Sequence, residues 1–193
     1  MSLLPVKKIT LPKDLRDQAN GKVDAALLRP IKPSGYLHHI PAQAWKAMCA
    51  KALAEGVQLT HVGAYRTYLR QVTMFRLRYS KSPTGRVPQV TRTWQNVVYY
   101  LRRGMSPSAV PGTSNHGLGI SIDVALKVAG NTVPISSNPD GPGGWVSGTS
   151  WLARNAVAFG FCWEVADPSN PNFEPWHLVY YAGDVPPSVK TVN

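Results

Sequence analysis

Apolar residues recur with two different periods along the chain, and these periods predict both helices and strands. Helical spacing is found in residues 42–56, behind Pro41, and in residues 67–80. A third helix is predicted over 149–160. Alternating or short apolar runs predict strands at 57–65, 119–128, 161–165 and 176–181. The segment 93–104 fits either a helix or a strand.

These elements predict an α+β domain with a small, mainly antiparallel β-sheet and helices packed on one side. Residues 1–40 are basic, interrupted by proline and weakly periodic, so we expect an arm that lies on the domain. The domain itself would span residues 41–183, and residues 184–193 would form a flexible tail. Cys49 and Cys162 lie among apolar residues, which favours free buried thiols, while a disulfide between them stays open.

The charge of the chain narrows the class of partner. Lysine and arginine number 21 against 10 acidic residues, which gives a net charge of +11. Such a charge favours an anionic partner, for example a bacterial cell wall. No nucleic-acid motif accompanies the scattered basic residues, so we expect no nucleic-acid partner. No apolar run is long enough for a transmembrane segment, and the first residues lack the features of a signal peptide.

One segment combines a strand pattern with metal-binding chemistry. In 114-SNHGLGISID-123, apolar and polar residues alternate after His116, and the run ends on Asp123. His177 lies in the last predicted strand. Two imidazoles and one carboxylate form the ligand set of a catalytic zinc ion, which keeps a fourth position open for water. A zinc-bound water loses its proton near neutral pH and becomes a nucleophile.

Two further charged residues would complete a hydrolytic site. Glu174 can accept the proton of the water and pass it to a leaving amine, provided that the chain bends at Pro175 to bring Glu174 and His177 together. Arg66 follows a predicted strand, and its guanidinium offers paired donors to an oxyanion or a carboxylate. Each of these residues taken alone also has an ordinary structural interpretation, as a core histidine, a turn cap or a loop acid.

The sequence around these residues resembles the VanY-type zinc D,D-carboxypeptidases of the LAS group, which also includes peptidoglycan endopeptidases of phage lysins. The segments 111-PGTSNHGLGISID-123 and 174-EPWHLVYY-181 match the family patterns S-x-H-x-x-G-x-A-x-D and E-x-W-H, with Ser121 in place of the usual alanine. Residues 65–71 match Y-R-S-x-x-x-Q, with Thr67 in place of serine. Three motifs in the same order make chance agreement improbable.

The resemblance implies a role for each matching residue. One zinc ion per chain would be bound by His116, Asp123 and His177, and Glu174 would be the general base and acid. Arg66 would stabilise the oxyanion or bind the substrate carboxylate. Substrate contacts would come from Ser114 and Gln71. The remaining histidines match nothing in the family patterns and are expected outside the ligand set: His38, His39 and His61.

The resemblance also implies a function, namely zinc-dependent hydrolysis of D-Ala-containing stem peptides of peptidoglycan, by a carboxypeptidase or an endopeptidase. A phage lysin or virion-associated wall hydrolase, monomeric and made in the host cytoplasm without a signal peptide, would act at the bacterial cell wall. A cellular D,D-carboxypeptidase or dipeptidase is an alternative. So is a non-catalytic zinc-binding phage structural or wall-binding module, although the presence of Glu174 favours catalysis.

Overall fold

The computed structural model describes residues 4–85, 88–135, 149–167, 169–170 and 172–185. Within these ranges the chain has an α+β fold, which confirms the predicted class. The α-helices are α1 (His39–Ala54), α2 (Tyr68–Arg78) and α3 (Thr149–Asn155). The strands are β1 (Leu28–Pro30), β2 (Tyr36–His38), β3 (Leu59–Gly63), β4 (Tyr79–Ser80), β5 (Thr91–Trp94), β6 (Val97–Leu101), β7 (Ser121–Val128), β8 (Asn131–Pro134), β9 (Phe161–Cys162) and β10 (His177–Tyr180). Single 3₁₀ turns occupy Lys13–Leu15, Ala25–Leu27, Asn115–Leu118 and Ala156–Phe159.

The main sheet of the described residues is built around β7. Its order is β3-β7-β10-β9, with β8 also paired to β7, and every pairing is antiparallel. Ile122, Val124 and Leu126 of β7 are buried in the main core, to which the buried residues of α1 also belong. The polar residues of the same strand lie on its other face, and one of them, Asp123, belongs to the candidate site.

The helices agree with the sequence patterns, with small shifts at their ends. Helix α1 begins at His39, two residues before the predicted start at Pro41, so Pro41 lies in its first turn. Proline is well accepted there, because the N–H groups of a first helical turn have no partner within the helix. Helix α2 begins at Tyr68, and the preceding residue, Thr67, is its N-cap, whose side chain accepts a hydrogen bond from the Arg70 backbone N–H. The helix predicted over 149–160 is α3 followed by a 3₁₀ turn.

The ambiguous segment 93–104 forms part of a β-hairpin. Strands β5 and β6 are joined by Gln95 and Asn96, which have φ values of 51° and 62°. Two consecutive residues with positive φ are typical of the type I′ turn that joins tightly paired strands. The hairpin pairs with β4, and this three-stranded sheet covers a second small core of Phe75, Tyr79, Trp94 and Leu101.

The first forty residues contribute to the domain core as well as lying on it. Their buried members of the main core are Leu4, Leu15, Val23, Ile31 and Leu37. The segment also supplies the β1–β2 hairpin and makes two isolated parallel bridges, from Val6 to Trp163 and from Thr10 to Ala182. The domain boundaries remain a prediction, and most of the predicted tail, residues 186–193, lies outside the described residues.

Two further sequence expectations can be compared with the structure. Cys49 and Cys162 are free thiols, as their apolar surroundings favoured. Among the described residues, no helix has the length and apolar character needed to cross a membrane. The internal packing of the fold therefore relies on its two hydrophobic cores, without a covalent cross-link between these cysteines.

The second core should be needed for the stability of the fold. We expect Phe75→Ala to lower the free energy of unfolding by about 3–5 kcal/mol, because the Phe75 ring is fully buried and stacks on Tyr79 at 4.6 Å. Leu77→Ala, on the same helix but 65% exposed, should change it by less than about 0.5 kcal/mol. Urea denaturation followed by circular dichroism measures both values. Equal losses in the two variants would contradict the packing described here.

Candidate active site and metal centre

Three of the predicted ligands lie together at the polar face of the main sheet. Asp123 in β7 is directly opposite His177 in β10, and His116 lies on the short turn that precedes β7. Oδ1 of Asp123 is 3.2 Å from Nε2 of His116 and 3.1 Å from Nδ1 of His177. The fold thus brings together two imidazoles and a carboxylate that are up to 61 positions apart in the sequence.

The outer nitrogen of each histidine is bonded to another group. Nδ1 of His116 is 2.9 Å from the carbonyl oxygen of Ala64, which can only accept, so Nδ1 carries the hydrogen. Nε2 of His177 is 3.1 Å from Oε2 of Glu164. Both imidazoles therefore present their other nitrogen, with its lone pair, toward Asp123 when they are neutral. Such outer partners are the usual means by which proteins orient metal-binding histidines.

The three donors fit a zinc ion. Ligand atoms held about 2.0–2.1 Å from a tetrahedral zinc lie about 3.3 Å from one another. The distances of 3.1 and 3.2 Å from Asp123 are close to that spacing, and all three donor atoms lie within 4.8 Å of one another. Gly63, opposite Asp123 in β3, leaves room for the carboxylate, since a Cβ at this position would overlap Oδ2 of Asp123.

Burial and charge pairing set the ionisation of the ligands. Burial alone would raise the pKa of Asp123, but its hydrogen bonds to His116 and His177 hold that pKa far below the usual value. Burial alone would lower the pKa of His177, but Asp123 and Glu164 raise it to about 9. The site is therefore a concentrated negative charge that favours a cation between its donors, whether a proton or a metal ion.

Glu174 reaches the same cleft through a tight bend. The backbone N–H of His177 donates to the carbonyl of Glu174 at 3.0 Å, which closes a turn around Pro175. The indole of Trp163 donates to the carbonyl of Pro175 at 3.0 Å and anchors this turn on the core. Desolvation by the surrounding protein raises the pKa of Glu174, and the Asp123 carboxylate raises it further. A carboxyl group with a raised pKa is suited to accept and return a proton.

Arg66 faces these acids across a cleft of about 400 Å³. Its backbone N–H donates to the carbonyl of His116 at 2.9 Å, which ties the β3–α2 connection to the histidine turn. Burial lowers the pKa of the Arg66 guanidinium, whereas the Asp123 carboxylate counteracts this effect. Arg78 lines the same cleft and donates to the carbonyl of Pro107 at 3.1 Å. The lining of the cleft therefore includes two arginines as well as the acids.

The two predicted substrate contacts occupy different positions. Ser114 lines the cleft beside His116. Gln71 is buried behind the cleft, where its amide nitrogen donates to Oδ1 of Asn20 and to the carbonyl of Arg66, and its amide oxygen accepts from the Gly112 N–H. These bonds favour a role for Gln71 in holding the surrounding loops, and its contact with substrate remains a prediction that the geometry does not favour.

Sequence reasoning missed the residues that support the ligands. Glu164 contacts His177 and also accepts a hydrogen bond from the Asn115 side chain at 2.8 Å. Asn20 connects Gln71 to the carbonyl of Ser114, at 2.8 Å from the latter. These residues lie in no recognised motif, and their contacts are long-range. Only the folded chain reveals them.

The chain belongs to the VanY family of D-alanyl-D-alanine carboxypeptidases, whose sequence model matches residues 34–184. This match covers most of the chain and places it among the peptidases. The relative from Bacillus subtilis (strain 168) named "Putative carboxypeptidase YodJ" is 28% identical over 153 residues. The alignment covers 75% of this chain and 46% of the relative, so the chain spans about half the length of this curated protein.

Solved structures show the same fold. VanYB in complex with D-alanine-D-alanine is 19% identical, with a TM-score of 0.50 over 80% of this chain and 76% of that chain. A mutant of the vancomycin-resistance D,D-pentapeptidase VanY, in complex with Zn(II), is 17% identical with a TM-score of 0.50, over 94% of this chain and 86% of that chain. The LD-carboxypeptidase LdcB is 20% identical with a TM-score of 0.56, over 93% and 83%.

Glu164 should act on metal affinity through His177. We expect Glu164→Ala to raise the Kd for zinc about 10- to 100-fold, because His177 loses the partner that orients its ring and increases its basicity. Competition with a chromophoric chelator measures this Kd. Asp167→Ala removes an exposed carboxylate of the same loop, which among the described residues accepts hydrogen bonds from Ser169, and should leave the Kd unchanged. An unaltered Kd in Glu164→Ala would show that the contact is not needed.

Proposed function

We propose that this chain is a zinc-dependent peptidase that hydrolyses D-Ala-containing stem peptides of peptidoglycan. The proposal rests above all on the convergence of His116, Asp123 and His177 at one point of a cleft that also holds Glu174. Membership of the VanY family supports the substrate class, and the relative VanYB is known in complex with D-alanine-D-alanine. The net charge of +11 suits an anionic wall polymer.

Each residue of the cleft has a distinct part in the proposed reaction. His116, Asp123 and His177 would hold the zinc ion. When bound, zinc supplies a Lewis acid and lowers the pKa of the attacking water. A carboxylate oxygen of Glu174 takes a proton from that water and passes it to the nitrogen of the leaving amine. The raised pKa of Glu174 helps it to hold the proton between these two steps.

Arg66 favours a carboxypeptidase over an endopeptidase. The guanidinium lies on the wall of the cleft near Asp123 and Glu174, where it can donate two parallel hydrogen bonds to a terminal carboxylate. A carboxypeptidase substrate always has such a carboxylate on the residue after the scissile bond, whereas an internal bond has one only where the residue after it keeps a free carboxylate. A role of Arg66 at the oxyanion would serve either reaction.

The remaining parts of the proposal concern where the protein acts. The proposed ligands and Glu174 meet within one copy of the chain, so the proposed reaction needs no second copy, and we propose that the protein acts as a monomer. The positive charge also supports action at the bacterial wall, either in a cell or as a phage lysin or virion component. Loss of turbidity of purified walls would distinguish a lytic enzyme from one that only trims free peptide ends.

The reaction can be tested with peptides of defined stereochemistry. We expect the zinc-loaded chain to release D-alanine from a peptide that ends in D-Ala-D-Ala and not from its L-Ala-L-Ala counterpart. Glu174→Ala should bind zinc as the wild type does but lose activity by a factor of about 10² or more, because proton transfer has no acceptor. Mass spectrometry of digested muropeptides identifies the bond that is cut.

Metal content and turnover together decide this proposal. A fully zinc-loaded chain that cleaves neither the peptide nor muropeptides would overturn the enzymatic function and favour a non-catalytic wall-binding module. Full activity in Glu174→Ala would assign the proton transfer to another group. Glu164→Ala serves as the matched comparison, because its deficit should disappear when excess zinc is added.

Arg66 should determine the preference for a free carboxyl terminus. We expect wild-type protein to prefer a peptide with a free terminal carboxylate over the same peptide with a terminal amide, and Arg66→Ala to lose this preference mainly through KM. Arg70→Ala, which removes an exposed arginine of the adjoining helix α2, is the control and should keep the preference. A loss of kcat on both peptides would instead indicate that Arg66 acts at the oxyanion.

A further inference from the structure

A second cluster of metal-binding side chains lies outside the catalytic cleft. Asp14 belongs to the short turn of the N-terminal segment, whereas His38 ends β2 and His39 begins α1. Nε2 of His38 is 3.0 Å from Oδ1 of Asp14, and Nε2 of His39 is 2.8 Å from Oδ2. The carboxylate therefore lies between two imidazoles that reach it from a different part of the chain.

His38 is the unusual member of this cluster. Its side chain is fully buried, and within the described part of the chain neither ring nitrogen has a hydrogen-bond partner. Nε2 of His38 nevertheless lies 3.0 Å from Oδ1 of Asp14, as Nε2 of His39 lies 2.8 Å from Oδ2. A lone pair of a neutral imidazole and a carboxylate oxygen repel each other at this distance unless a proton or a metal ion lies between them.

The chemistry of the cluster suits a cation. The His38 side chain is fully buried, where a neutral imidazole with a free lone pair is favoured over a charged ring. Burial alone would raise the pKa of Asp14, but the contacts with His39 and His38 lower it, so the carboxylate is ionised. Asp184 adds negative charge nearby, where its side chain accepts a hydrogen bond from the Lys13 N–H at 2.9 Å.

We propose that Asp14, His38 and His39 form a second divalent metal site, which binds a borderline ion such as Zn²⁺. The three donor atoms lie within 4.8 Å of one another, and a set of two imidazoles and a carboxylate matches the preferences of zinc and its neighbours among the transition metals. The side chains of His39 and Asp14 are 35% and 36% exposed, so an ion can enter from solvent and complete its coordination with water.

An ion at this site would join the N-terminal segment to the centre of the domain. The backbone N–H of His38 donates to the carbonyl of Gly119 at 2.9 Å, and Gly119 ends the turn that carries His116. The N-terminal segment contacts the same turn at a second point, where the Gly21 N–H donates to the carbonyl of Gly117 at 2.6 Å. The second ion would therefore be structural, and it would hold the segment against the support of the catalytic histidine.

Metal stoichiometry tests this site independently of catalysis. The full-length chain, free of any tag, is stripped of metal, saturated with zinc and dialysed, and zinc per chain is then measured by elemental analysis. We expect two zinc ions in wild type and one in His39→Ala and in Asp14→Asn. Asp17→Asn, an exposed acid of the same segment, is the matched control and should keep two. His177→Ala should retain one ion through the second site.

Thermal unfolding provides a second measurement. Added zinc should raise the Tm of His177→Ala, in which only the second site remains, and should not do so when Asp14→Asn is combined with it. A zinc count that is the same in wild type, His39→Ala and Asp14→Asn would overturn the proposal, whatever the count at the catalytic site. In that case the cluster would be an ion pair that fastens the N-terminal segment. Failure of peptide hydrolysis would leave the zinc count at this site unaffected.

Discussion

The antiparallel pairing of β7 with β10 is the constraint on which the active site depends. It sets Asp123 opposite His177, so both side chains leave the sheet on one face within 3.1 Å of each other. A slip of one residue would turn one of them toward the core. The other edge of β7 contributes as much, because a register shift in β3 brings Gly63 beside Asp123, where any side chain would collide with the carboxylate.

The proposed third ligand, His116, and the proposed general base, Glu174, are held beside this pair by local structure. The backbone carbonyl of His116 accepts a hydrogen bond from the Arg66 N–H, and its ring bonds to the carbonyl of Ala64. Both partners belong to the connection between β3 and α2. Glu174 is placed by a bend that His177 itself closes. Acids thus gather where β7 meets β10, and arginines lie on the wall formed by the neighbouring connection and helix. The cleft therefore combines acids, which suit a cation, with arginines, which suit an anionic group.

The N-terminal segment, residues 4–40 of the described chain, also supports this arrangement. It supplies buried residues to the main core, pairs with the histidine turn at Gly21 and places Asp14 between His38 and His39. The sequence model of the family matches from residue 34, so most of this segment lies outside the matched sequence. Its contacts with the turn that carries His116 are therefore separate from the sequence motifs by which the family is recognised.

The sequence alone determined the fold class, the helices and the candidate ligands His116, Asp123 and His177, because periodicity and short motifs are local properties. It left the segment 93–104 undecided, since only pairing with β4 and packing on Phe75 select the hairpin over a helix. No sequence pattern predicts that Glu164, Asn20 and Gly63 support the site, because their partners lie far away in the sequence. His38 and His39 match none of the family motifs, but in the fold both imidazoles contact the carboxylate of Asp14. Local patterns reveal which residues can do chemistry, whereas strand register and long-range packing decide which of them meet.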